Sequence, residues 1–516
     1  MAEQHSFWLW AEAEPDRVAL VLPSGDPLPA GELLNACHQI ANGLRELGLG
    51  TGSTVAVALP NGAPVFELFL AAMQCGLYIT PLNIQLTAPE IAHVLEDARA
   101  DAFFASGVCA EAAAGAADRS GLDRARCFGT DAGAPFQSFA DFKAAQSAER
   151  PDDRSAGQML QYTSGTTGRP KGVRRALQHS DPDEQVHLYS QQLARFGIRP
   201  GGDNAHLCGS PMYHLAALAY SWFSLHWRHR VIVMEKWQPE PCLAAIQEHR
   251  VTTAQMVPTQ FHRLLSLPEA VRGAYDTSSL THVLHAGAPC PVDVKQRMLD
   301  WWGPVIYEYY GASEGGGTLV TPQEWQERPG TVGRPWAGAD IRIYDDEQKP
   351  LAAGQVGNVY LKLLADFEYA GDAEKTRDAR LSGYFTVGDM GYLDPDGYLF
   401  LCDRKSEMVI SGGVNIYPAE VEAILLRHPA VGDAAVFGIP DPDWGEQLKA
   451  VVEPAPGSTA DEALADTLLA HCAAELAKYK RPRSIDFVDA LPRDPNGKLY
   501  RRKLRDPYWE GKTRQI

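Results

Sequence analysis

The sequence predicts an α/β protein with a large N-terminal domain of layered, mostly parallel sheets and a small α+β domain at the C-terminus. From about residue 30 to residue 310, apolar strands alternate with amphipathic helices, which is the pattern of a layered α/β fold. Between residues 331 and 401 the pattern changes to short strands separated by Gly, Asp and Pro turns. The length of 516 residues also exceeds what one hydrophobic core normally organises.

The elements of the first part follow from the spacing of apolar residues. The most apolar window, residues 65–82, is interrupted by Glu67, Gln74 and Gly76, so we expect a buried helix running into a strand and no membrane span. The Ala-rich stretch 110–117 is interpreted as a surface helix. Strands are predicted at residues 54–59, 231–234 and 283–285, and helices at residues 32–47 and 239–249.

Beyond Arg404 the predicted order is a helix at 418–427, strands at 434–439 and 448–453, a helix at 461–478 and a strand at 484–488. We therefore predict an N-terminal domain of residues 1–403 and a mobile C-terminal domain of residues 404–516, with a hinge near 404–406. A β-rich subdomain of about residues 331–401 lies within the first domain, and its Asp-Pro-Asp-Gly segment at 394–397 is a strong tight-turn signal.

Composition excludes several classes of function. The net charge is −18 and there is no long basic run, which argues against nucleic acid or an anionic membrane as the main partner. The nine cysteines include no Cys-x-x-Cys pair, so we expect neither a zinc site nor a disulfide framework, but reduced thiols in a cytoplasm. The acidic N-terminus lacks the pattern of a signal peptide.

Residues 162–173 read Tyr-Thr-Ser-Gly-Thr-Thr-Gly-Arg-Pro-Lys-Gly-Val and form the most informative segment of the chain. Glycines let backbone amides turn toward a ligand, hydroxyls donate hydrogen bonds, and Arg169 and Lys171 add positive charge. These properties suit a polyphosphate anion. The order lacks the Gly-Lys-Ser/Thr ending of the Walker loop, so a kinase or other P-loop NTPase is not indicated.

This loop resembles the phosphate loop of the adenylate-forming superfamily, which includes acyl-CoA synthetases, luciferases and peptide-synthetase adenylation domains. Further segments resemble other motifs of that family, in the family's order and across most of the chain. They are Pro-Met-Tyr-His at 211–214, Tyr-Gly-Ala-Ser-Glu at 310–314, Phe-Thr-Val-Gly-Asp at 385–389, the hinge-like segment 403–413 and the lysine loop 492–498.

The resemblance implies a two-step reaction that uses ATP, Mg²⁺ and CoA. A carboxylate attacks the α-phosphate of ATP to give an acyl-adenylate and pyrophosphate, and a thiol then displaces AMP. The first step brings two anions together. At about 4 Å, two unit charges repel by roughly 4 kcal/mol at an effective dielectric near 20. The resemblance assigns the compensating cation to Lys498 and the Mg²⁺ ligand to Glu314, both of which we take as catalytic together with His214 beside the acyl pocket.

The resemblance also implies the nucleotide contacts. Tyr310 is similar to the residue that stacks on adenine, Asp389 offers two acceptor oxygens for the ribose diol, and Ser313 keeps a hydroxyl where the family has Thr. Glu308 falls where an amide often meets the adenine amino group. The predicted ATP and AMP contacts are Thr163, Ser164, Gly165, Thr166, Thr167, Gly168, Lys171, Gly287, Ala288, Glu308, Tyr309, Tyr310, Gly311, Ala312, Ser313, Asp389 and Arg404.

For the second step, the resemblance implies a C-terminal domain that swings about a hinge. The hinge position, usually Asp or Lys, is Ser406 here, which tolerates turn and helical dihedrals but carries no charge. Gly412 and Gly413 would let the pantetheine arm of CoA pass close to the backbone. His214 is interpreted either as a gate of the acyl pocket or as a core histidine.

The acyl substrate is constrained only in outline. Residues 211–218 lack the aspartate with which amino-acid-activating relatives hold an amine, and the following run is apolar and aromatic. We therefore expect a hydrophobic carboxylic acid without an α-amine, of fatty, aromatic or polycyclic type. The acceptor is free CoA or, alternatively, a carrier protein, and an adenylate oxidised as in luciferase is a further alternative. The oligomeric state is left open, with a homodimer among the alternatives.

A nucleotide-binding sensor without turnover is the non-enzymatic alternative. It is disfavoured because Lys171, Glu314, Asp389 and Lys498 are all present.

Overall fold

The protein is described by a computed structural model that covers residues 5–131, 133–163, 171–494 and 497–511. The α-helices of these residues are α1 Phe7–Ala13, α2 Ala30–Glu46, α3 Ala63–Gln74, α4 Ala88–Asp97, α5 Ala110–Ser120, α6 Phe139–Ala144, α7 Pro182–Ser190, α8 Leu215–His226, α9 Pro239–His249, α10 Pro258–Leu265, α11 Glu269–Arg272, α12 Val292–Trp302, α13 Pro322–Glu327, α14 Ala373–Asp378, α15 Pro418–Leu425, α16 Glu462–Glu475 and α17 Arg501–Arg505.

The strands are β1 Val18–Val21, β2 Pro27–Pro29, β3 Thr54–Ala58, β4 Tyr78–Pro81, β5 Ala102–Ala105, β6 Cys127–Gly129, β7 Gln137–Ser138, β8 Gln158–Met159, β9 Gln161–Thr163, β10 Lys171–Arg174, β11 Ala205–Cys208, β12 Arg230–Val233, β13 Thr253–Met256, β14 His282–His285, β15 Ile306–Ala312, β16 Gly315–Val320, β17 Arg334–Pro335, β18 Ile341–Tyr344, β19 Gly357–Lys362, β20 Glu368–Tyr369, β21 Arg380–Leu381, β22 Tyr384–Phe385, β23 Asp389–Leu393, β24 Leu399–Arg404, β25 Val409–Ser411, β26 Val414–Ile416, β27 Val431–Asp441, β28 Gly445–Pro454 and β29 Ser484–Phe487.

Two large sheets form the N-terminal part. The first has the order β17-β16-β15-β14-β13-β11-β12-β1-β2 and is parallel from β15 to β1. The second, β7-β6-β5-β3-β4-β8, is parallel throughout. Parallel sheets are covered on both faces, which is why β3 is buried at every residue. The predicted layered, mostly parallel α/β architecture is confirmed.

Helices separate and cover these sheets. Side chains of α2, α3 and α8 share one core with strands of both sheets, so these helices lie between the two sheets. Helices α9, α10 and α12 cover the other face of the nine-stranded sheet. Helices α4 and α5 cover the far face of the six-stranded sheet. The result is five alternating layers of helices and strands.

The Ala-rich stretch is a helix, but it lies in the core and not only at the surface. Ala113, Ala116 and Ala117 of α5 are fully buried against α4 and the six-stranded sheet. Alanine is small enough to let two helices approach closely, so an Ala-rich face packs where a larger side chain would not. The apolar window 65–82 is, as expected, a buried helix (α3) followed by a strand (β4). Of the helices in the described residues, none combines the length and apolarity of a membrane span.

The rest of the chain forms smaller sheets. The antiparallel sheet β21-β22-β19-β23-β24, with β18 beside β19, corresponds to the predicted β-rich region but continues to Arg404. A short sheet, β20-β10-β9, joins that region to the strand before the phosphate loop. In the C-terminal part, α15 and α16 pack on the sheet β26-β25-β28-β27, to which β29 adds in parallel.

Two glycines allow a test of close backbone packing in this fold. A Cβ atom on Gly333 would lie 2.2 Å from the carbonyl oxygen of Leu319, whereas one on Gly397 would meet nothing within 4 Å. Both residues have positive φ, +97° and +83°. Gly397→Ala is therefore expected to cost about 1–2 kcal/mol for the left-handed backbone alone.

Gly333→Ala is expected to cost a further 1–3 kcal/mol or so, because the backbone of β16 must move. The midpoints of thermal unfolding measure both effects. Equal midpoints for the two variants would contradict a close approach of the backbone at Gly333.

Candidate active site

The carboxyl ends of four neighbouring parallel strands, β11, β13, β14 and β15, meet at one edge of the nine-stranded sheet. Ligands of open α/β sheets bind at such an edge. The segments that follow these strands carry His214 at the start of α8, Thr259 in α10, Gly287 with Ala288, and the run Tyr310–Glu314. The fold therefore gathers predicted site residues that are distant in sequence.

Tyr310, Asp389 and Arg404 are in direct contact. The Tyr310 hydroxyl donates to Asp389 Oδ2 (2.6 Å), and Arg404 Nε lies 3.3 Å from Asp389 Oδ1. Asp389 begins β23 and faces Arg404, the last residue of β24, across the strand pair. Burial, and then the charge of Asp389, raises the pKa of Tyr310 well above its ordinary value. Three residues predicted to contact the nucleotide are thus joined by one hydrogen bond and one ion pair.

Glu314 is buried beside this group. Its Oε1 accepts a hydrogen bond from the Tyr369 hydroxyl (2.7 Å), and Arg175 Nη2 donates to the carbonyl oxygen of Ser313 (2.7 Å). Among the described residues, no cluster of three or more His, Cys, Asp or Glu side chains would make an all-protein metal cage. A single carboxylate fits Mg²⁺, which proteins bind through one or two carboxylates together with substrate phosphates.

Lys171 lies at the end of the predicted phosphate loop. It begins β10, pairs in register with Thr163 of β9, and its ammonium forms an ion pair with the carboxylate of Asp372. Asp372 also caps α14 by accepting from the backbone N–H of Lys375 (3.0 Å). The predicted loop residues Ser164, Gly165, Thr166, Thr167 and Gly168 lie outside the described residues.

Glu308 is buried and faces α12. Its Oε2 is 2.6 Å from Lys295 Nζ and 3.5 Å from His285 Nε2. Lys295 is fully buried, and its ammonium lies 4.7 Å from the centre of the Trp325 ring. Burial raises the pKa of Glu308, while the charge of Lys295 opposes that rise. A contact between Glu308 and adenine stays a prediction.

Other predicted nucleotide contacts lie along the same edge. Gly287 and Ala288 are exposed after β14, and Gly287 has φ +87°. Gly311 and Ala312 end β15. Tyr309 points into an aromatic group, with ring centres 5.3 Å from Tyr220 and 6.0 Å from Phe196.

The predicted lysine loop lies against this edge. Asp494 Oδ1 accepts from the backbone N–H of Lys498 (2.8 Å), and the N–H of Gly497 donates to the carbonyl oxygen of Asp494 (2.8 Å). A Cβ atom on Gly497 would come 2.3 Å from Thr259 Oγ1. His262 of α10 contacts the same part of the chain, with Nε2 2.7 Å from the carbonyl oxygen of Gly432.

Lys498 and His214 both have lowered pKa values, and the charge of Lys498 contributes to the shift of His214. The side chain of Lys498 is partly accessible to solvent. Its surroundings nevertheless desolvate the ammonium group and lower its pKa, and the charge of Arg404 lowers the pKa further. Burial lowers the pKa of His214 to about 4, with Asp494 opposing and Lys498 adding to the shift. His214 is therefore neutral at pH 7.

The predicted hinge residue and the predicted CoA-binding glycines lie in the segment that follows β24. Ser406 lies in a turn after β24, where Lys405 N–H donates to the carbonyl oxygen of Gly388 (2.8 Å). Gly412 and Gly413 form the turn between β25 and β26, with φ +57° and +80°. The N–H of Gly412 donates to the carbonyl oxygen of Trp444 (2.8 Å), whose side chain is half-exposed.

Comparison with known proteins identifies the family of this site. The family of AMP-binding enzymes matches residues 7–363, and the AMP-binding enzyme C-terminal domain matches residues 420–498. The chain belongs to the AMP-binding enzyme family. A feruloyl-CoA synthase from Amycolatopsis sp. is 35% identical over 93% of this chain and 94% of its own length. The fatty acid–[acyl-carrier-protein] ligase ScoC of Streptomyces coeruleorubidus is 31% identical over 98% and 96%.

A solved structure is similar over nearly the whole length. The anthranilate CoA ligase AuaEII in complex with anthranoyl-AMP has a TM-score of 0.85 and 25% identity, covering 97% of this chain and 96% of that one. Membership of the adenylate-forming superfamily, the fold class, and the activity of an ATP-dependent, AMP-forming acid–thiol ligase that uses CoA are thereby confirmed.

Several residues at this edge are not apparent from the sequence. Asp372, Tyr369 and Lys295 pair with Lys171, Glu314 and Glu308, respectively. Each pairing depends on the tertiary fold, and no local pattern marks these residues. Asp494 is different, because an Asp followed by Pro-Asn-Gly is a turn signal that sequence reasoning can detect.

The Lys295–Glu308 pair permits a test against an exposed pair of the same length. Lys295→Met leaves the buried Glu308 carboxylate without its cation, and we expect a loss of about 3–5 kcal/mol. Lys349 and Glu347 are also 2.6 Å apart, but their side chains are 70% and 74% exposed. Lys349→Met is therefore expected to change stability by less than about 1 kcal/mol.

Denaturant unfolding of both variants measures the difference. Similar losses in the two variants would contradict the assignment of the Lys295–Glu308 pair as a buried, stabilising ion pair.

Proposed function

We propose that this enzyme activates a hydrophobic carboxylic acid, of fatty, aromatic or polycyclic type, as its acyl-adenylate and then transfers the acyl group to CoA. The observation that supports this most directly is the position of the lysine loop. The turn that bears Lys498 lies against Thr259 and His214 at the edge where the nucleotide residues are gathered. An arrangement in which a mobile lysine reaches this edge suits the adenylation step.

In that step, an oxygen of the acid forms a bond to the α-phosphorus, and the bond from this phosphorus to the bridging oxygen breaks as pyrophosphate leaves. The barrier is mainly the repulsion of two anions and the cost of aligning them. We assign Lys498 to the developing charge between acyl and phosphate oxygens. Asp389 and Tyr310 would hold the nucleoside. Lys171, together with the loop 163–168, would hold the outer phosphates. To do so, Lys171 would leave its ion pair with Asp372 and bind the phosphates instead.

Glu314 is the residue that would hold Mg²⁺. The ion supplies positive charge to the phosphate oxygens. Arg175 donates to the carbonyl oxygen of Ser313 and so fixes the segment that presents Glu314. The Tyr369 hydroxyl donates to Oε1 of Glu314, and we assign the metal to the other carboxylate oxygen.

The second step requires the thiol of CoA to reach the acyl carbon while AMP leaves and the thiol proton is released. We assign this step to a rotation of residues 404–516 against residues 1–403, about a hinge at Ser406. Support comes from the separate match of a C-terminal domain to residues 420–498 and from the exposed Gly412-Gly413 turn, which leaves the backbone accessible to a pantetheine arm.

The acceptor has one supported alternative. ScoC, 31% identical, is by its name a ligase of fatty acids to acyl-carrier protein, so a carrier-protein thiol is the second candidate acceptor.

We also infer a cytoplasmic location. All nine cysteines are free thiols, which is the state that a reducing compartment maintains. A homodimer is the oligomeric state to be tested by light scattering.

A panel of hydrophobic acids tests the proposal. Each acid is incubated with ATP, Mg²⁺ and either CoA or an acyl-carrier protein, and acyl-AMP, thioester and pyrophosphate are measured by mass spectrometry. At least one aromatic or fatty acid is expected to give acyl-AMP and acyl-CoA. A thioester formed on the carrier protein but not on CoA would favour the alternative acceptor. If no acid of the panel leads to release of pyrophosphate, the proposal is rejected.

Lys498→Ala is expected to lower acyl-adenylate formation by a factor on the order of 10² or more, as when one stabilising group of a transition state is lost. Because its pKa is lowered, the ammonium loses its proton at a lower pH than free lysine. Wild-type adenylation should therefore decline as the pH rises through this lowered pKa. Pyrophosphate exchange measures both effects.

The matched control is Lys503→Ala, which removes an exposed lysine of α17. This variant should retain wild-type exchange. If Lys498→Ala retains it too, Lys498 is not the catalytic cation.

Ser406→Pro tests the hinge. Proline fixes φ near −65° and restricts the preceding residue, so rotation should be hindered while the present arrangement is kept. Adenylation is expected to change little and thioester formation to slow by about tenfold or more, an added barrier of at least about 1.4 kcal/mol. Ser406→Ala serves as the control, and equal loss of both half-reactions in the proline variant would remove the hinge assignment.

A further inference from the structure

Asp494 is buried at the junction between the lysine loop and the sheet edge. The residue is 5% exposed, and its two carboxylate oxygens have different neighbours. Oδ1 accepts from the backbone N–H of Lys498 (2.8 Å). Oδ2 lies 3.5 Å from Nε2 of His214. One side chain thus contacts both the backbone of the proposed catalytic lysine and the segment beside the proposed acyl pocket.

The two hydrogen bonds between Asp494 and Lys498 have a counterpart elsewhere in the chain, which separates their structural role from any functional one. At Asp345, Oδ1 accepts from the N–H of Lys349 (2.8 Å), and the N–H of Asp345 donates to the carbonyl oxygen of Lys349 (3.0 Å). The corresponding bonds of Asp494 with Lys498 are 2.8 and 2.9 Å. The same pair of bonds between an aspartate and the lysine four residues later therefore occurs at two places in this protein.

The two turns differ in what the second oxygen faces. The turn at Asp345 lies on the surface, and Lys349 there is 70% exposed. Asp494 is buried, and its Oδ2 faces a histidine that is distant in sequence. His214 Nε2 is itself buried and has no hydrogen-bond partner among the described residues. At 3.5 Å the Asp494 carboxylate makes no hydrogen bond to this atom in the present arrangement. A buried polar atom without a partner is costly, so a small closing movement that lets a protonated Nε2 donate to Asp494 would stabilise the docked turn.

We propose that Asp494 is a positioning residue for adenylation: it shapes the turn that presents Lys498 and docks that turn on His214. This inference rests on the proposed function, because it assigns a role within the same reaction. Arg493 holds the turn from its outer side, with Nη1 donating to the carbonyl oxygen of Gly497 (2.7 Å) and Nη2 to Asp433 Oδ1 (2.8 Å). Asp494 contacts the sheet edge at His214, and Gly497 contacts it at Thr259.

The test compares two substitutions in separate half-reactions. Asp494→Ala removes both contacts, and we expect acyl-adenylate formation to fall by about tenfold or more, as for loss of a hydrogen bond to an ionised acceptor. Asp494→Asn keeps an oxygen for the Lys498 N–H and should recover part of that loss. Thioester formation from supplied acyl-AMP should stay within about twofold of wild type in both variants, since that step does not use the docked turn.

Asp345→Ala and Asp345→Asn are the matched controls, because they alter the counterpart turn and should leave both half-reactions unchanged. His214→Gln, alone and with Asp494→Asn, measures the docking contact. The two effects should be less than multiplicative in the double variant, since each removes the same contact. Multiplicative effects, or equal losses in Asp494→Ala and Asp494→Asn, would overturn the assignment.

Hydrogen exchange provides a readout that needs no turnover. In the unliganded enzyme, Asp494→Ala should raise exchange at Lys498 and in the segment around His214, and Asp345→Ala should raise it only near Lys349. Unchanged exchange near His214 would overturn the docking role. If the wild-type enzyme adenylates no acid while the exchange result holds, the proposed function fails and the contact stands.

Discussion

The site depends on the approach of the C-terminal part of the chain to the carboxyl edge of the nine-stranded sheet. Two of the contacts between these parts of the chain involve the lysine loop: Gly497 lies against Thr259, and Asp494 faces His214. The first requires the absence of a side chain, and the second requires a buried carboxylate. Because they bring Lys498 near the Tyr310–Asp389–Arg404 group, cationic charge lies where we propose that the two anionic substrates meet.

The layered core explains how such precision is reached with residues from the whole chain. Parallel strands end at a common edge, so segments that are far apart in sequence become neighbours without long connections. Burial then acts on two of the charges: it keeps His214 neutral at pH 7, and it raises the pKa of Glu308, a rise that the charge of Lys295 opposes.

The sequence was sufficient for the fold class and for most helices and strands, because period and turn residues are local. Helix 239–249 agrees with α9 at both ends. The Ala-rich sequence of α5 predicts a surface helix, but the structure buries one face of it, because alanine alone does not distinguish a close-packed face. At the site, the motifs predict roles for Lys171, Glu314 and Asp389. Their partners Asp372, Tyr369 and Tyr310 are set by pairing across the fold, which no spacing in the sequence encodes.

Helix α10 has a consequence of its own. It follows directly from β13, yet Thr259 and His262 on it both contact the C-terminal part of the chain. This eight-residue helix therefore has two roles: it continues the chain from a strand of the sheet edge, and its side chains support the C-terminal part of the chain.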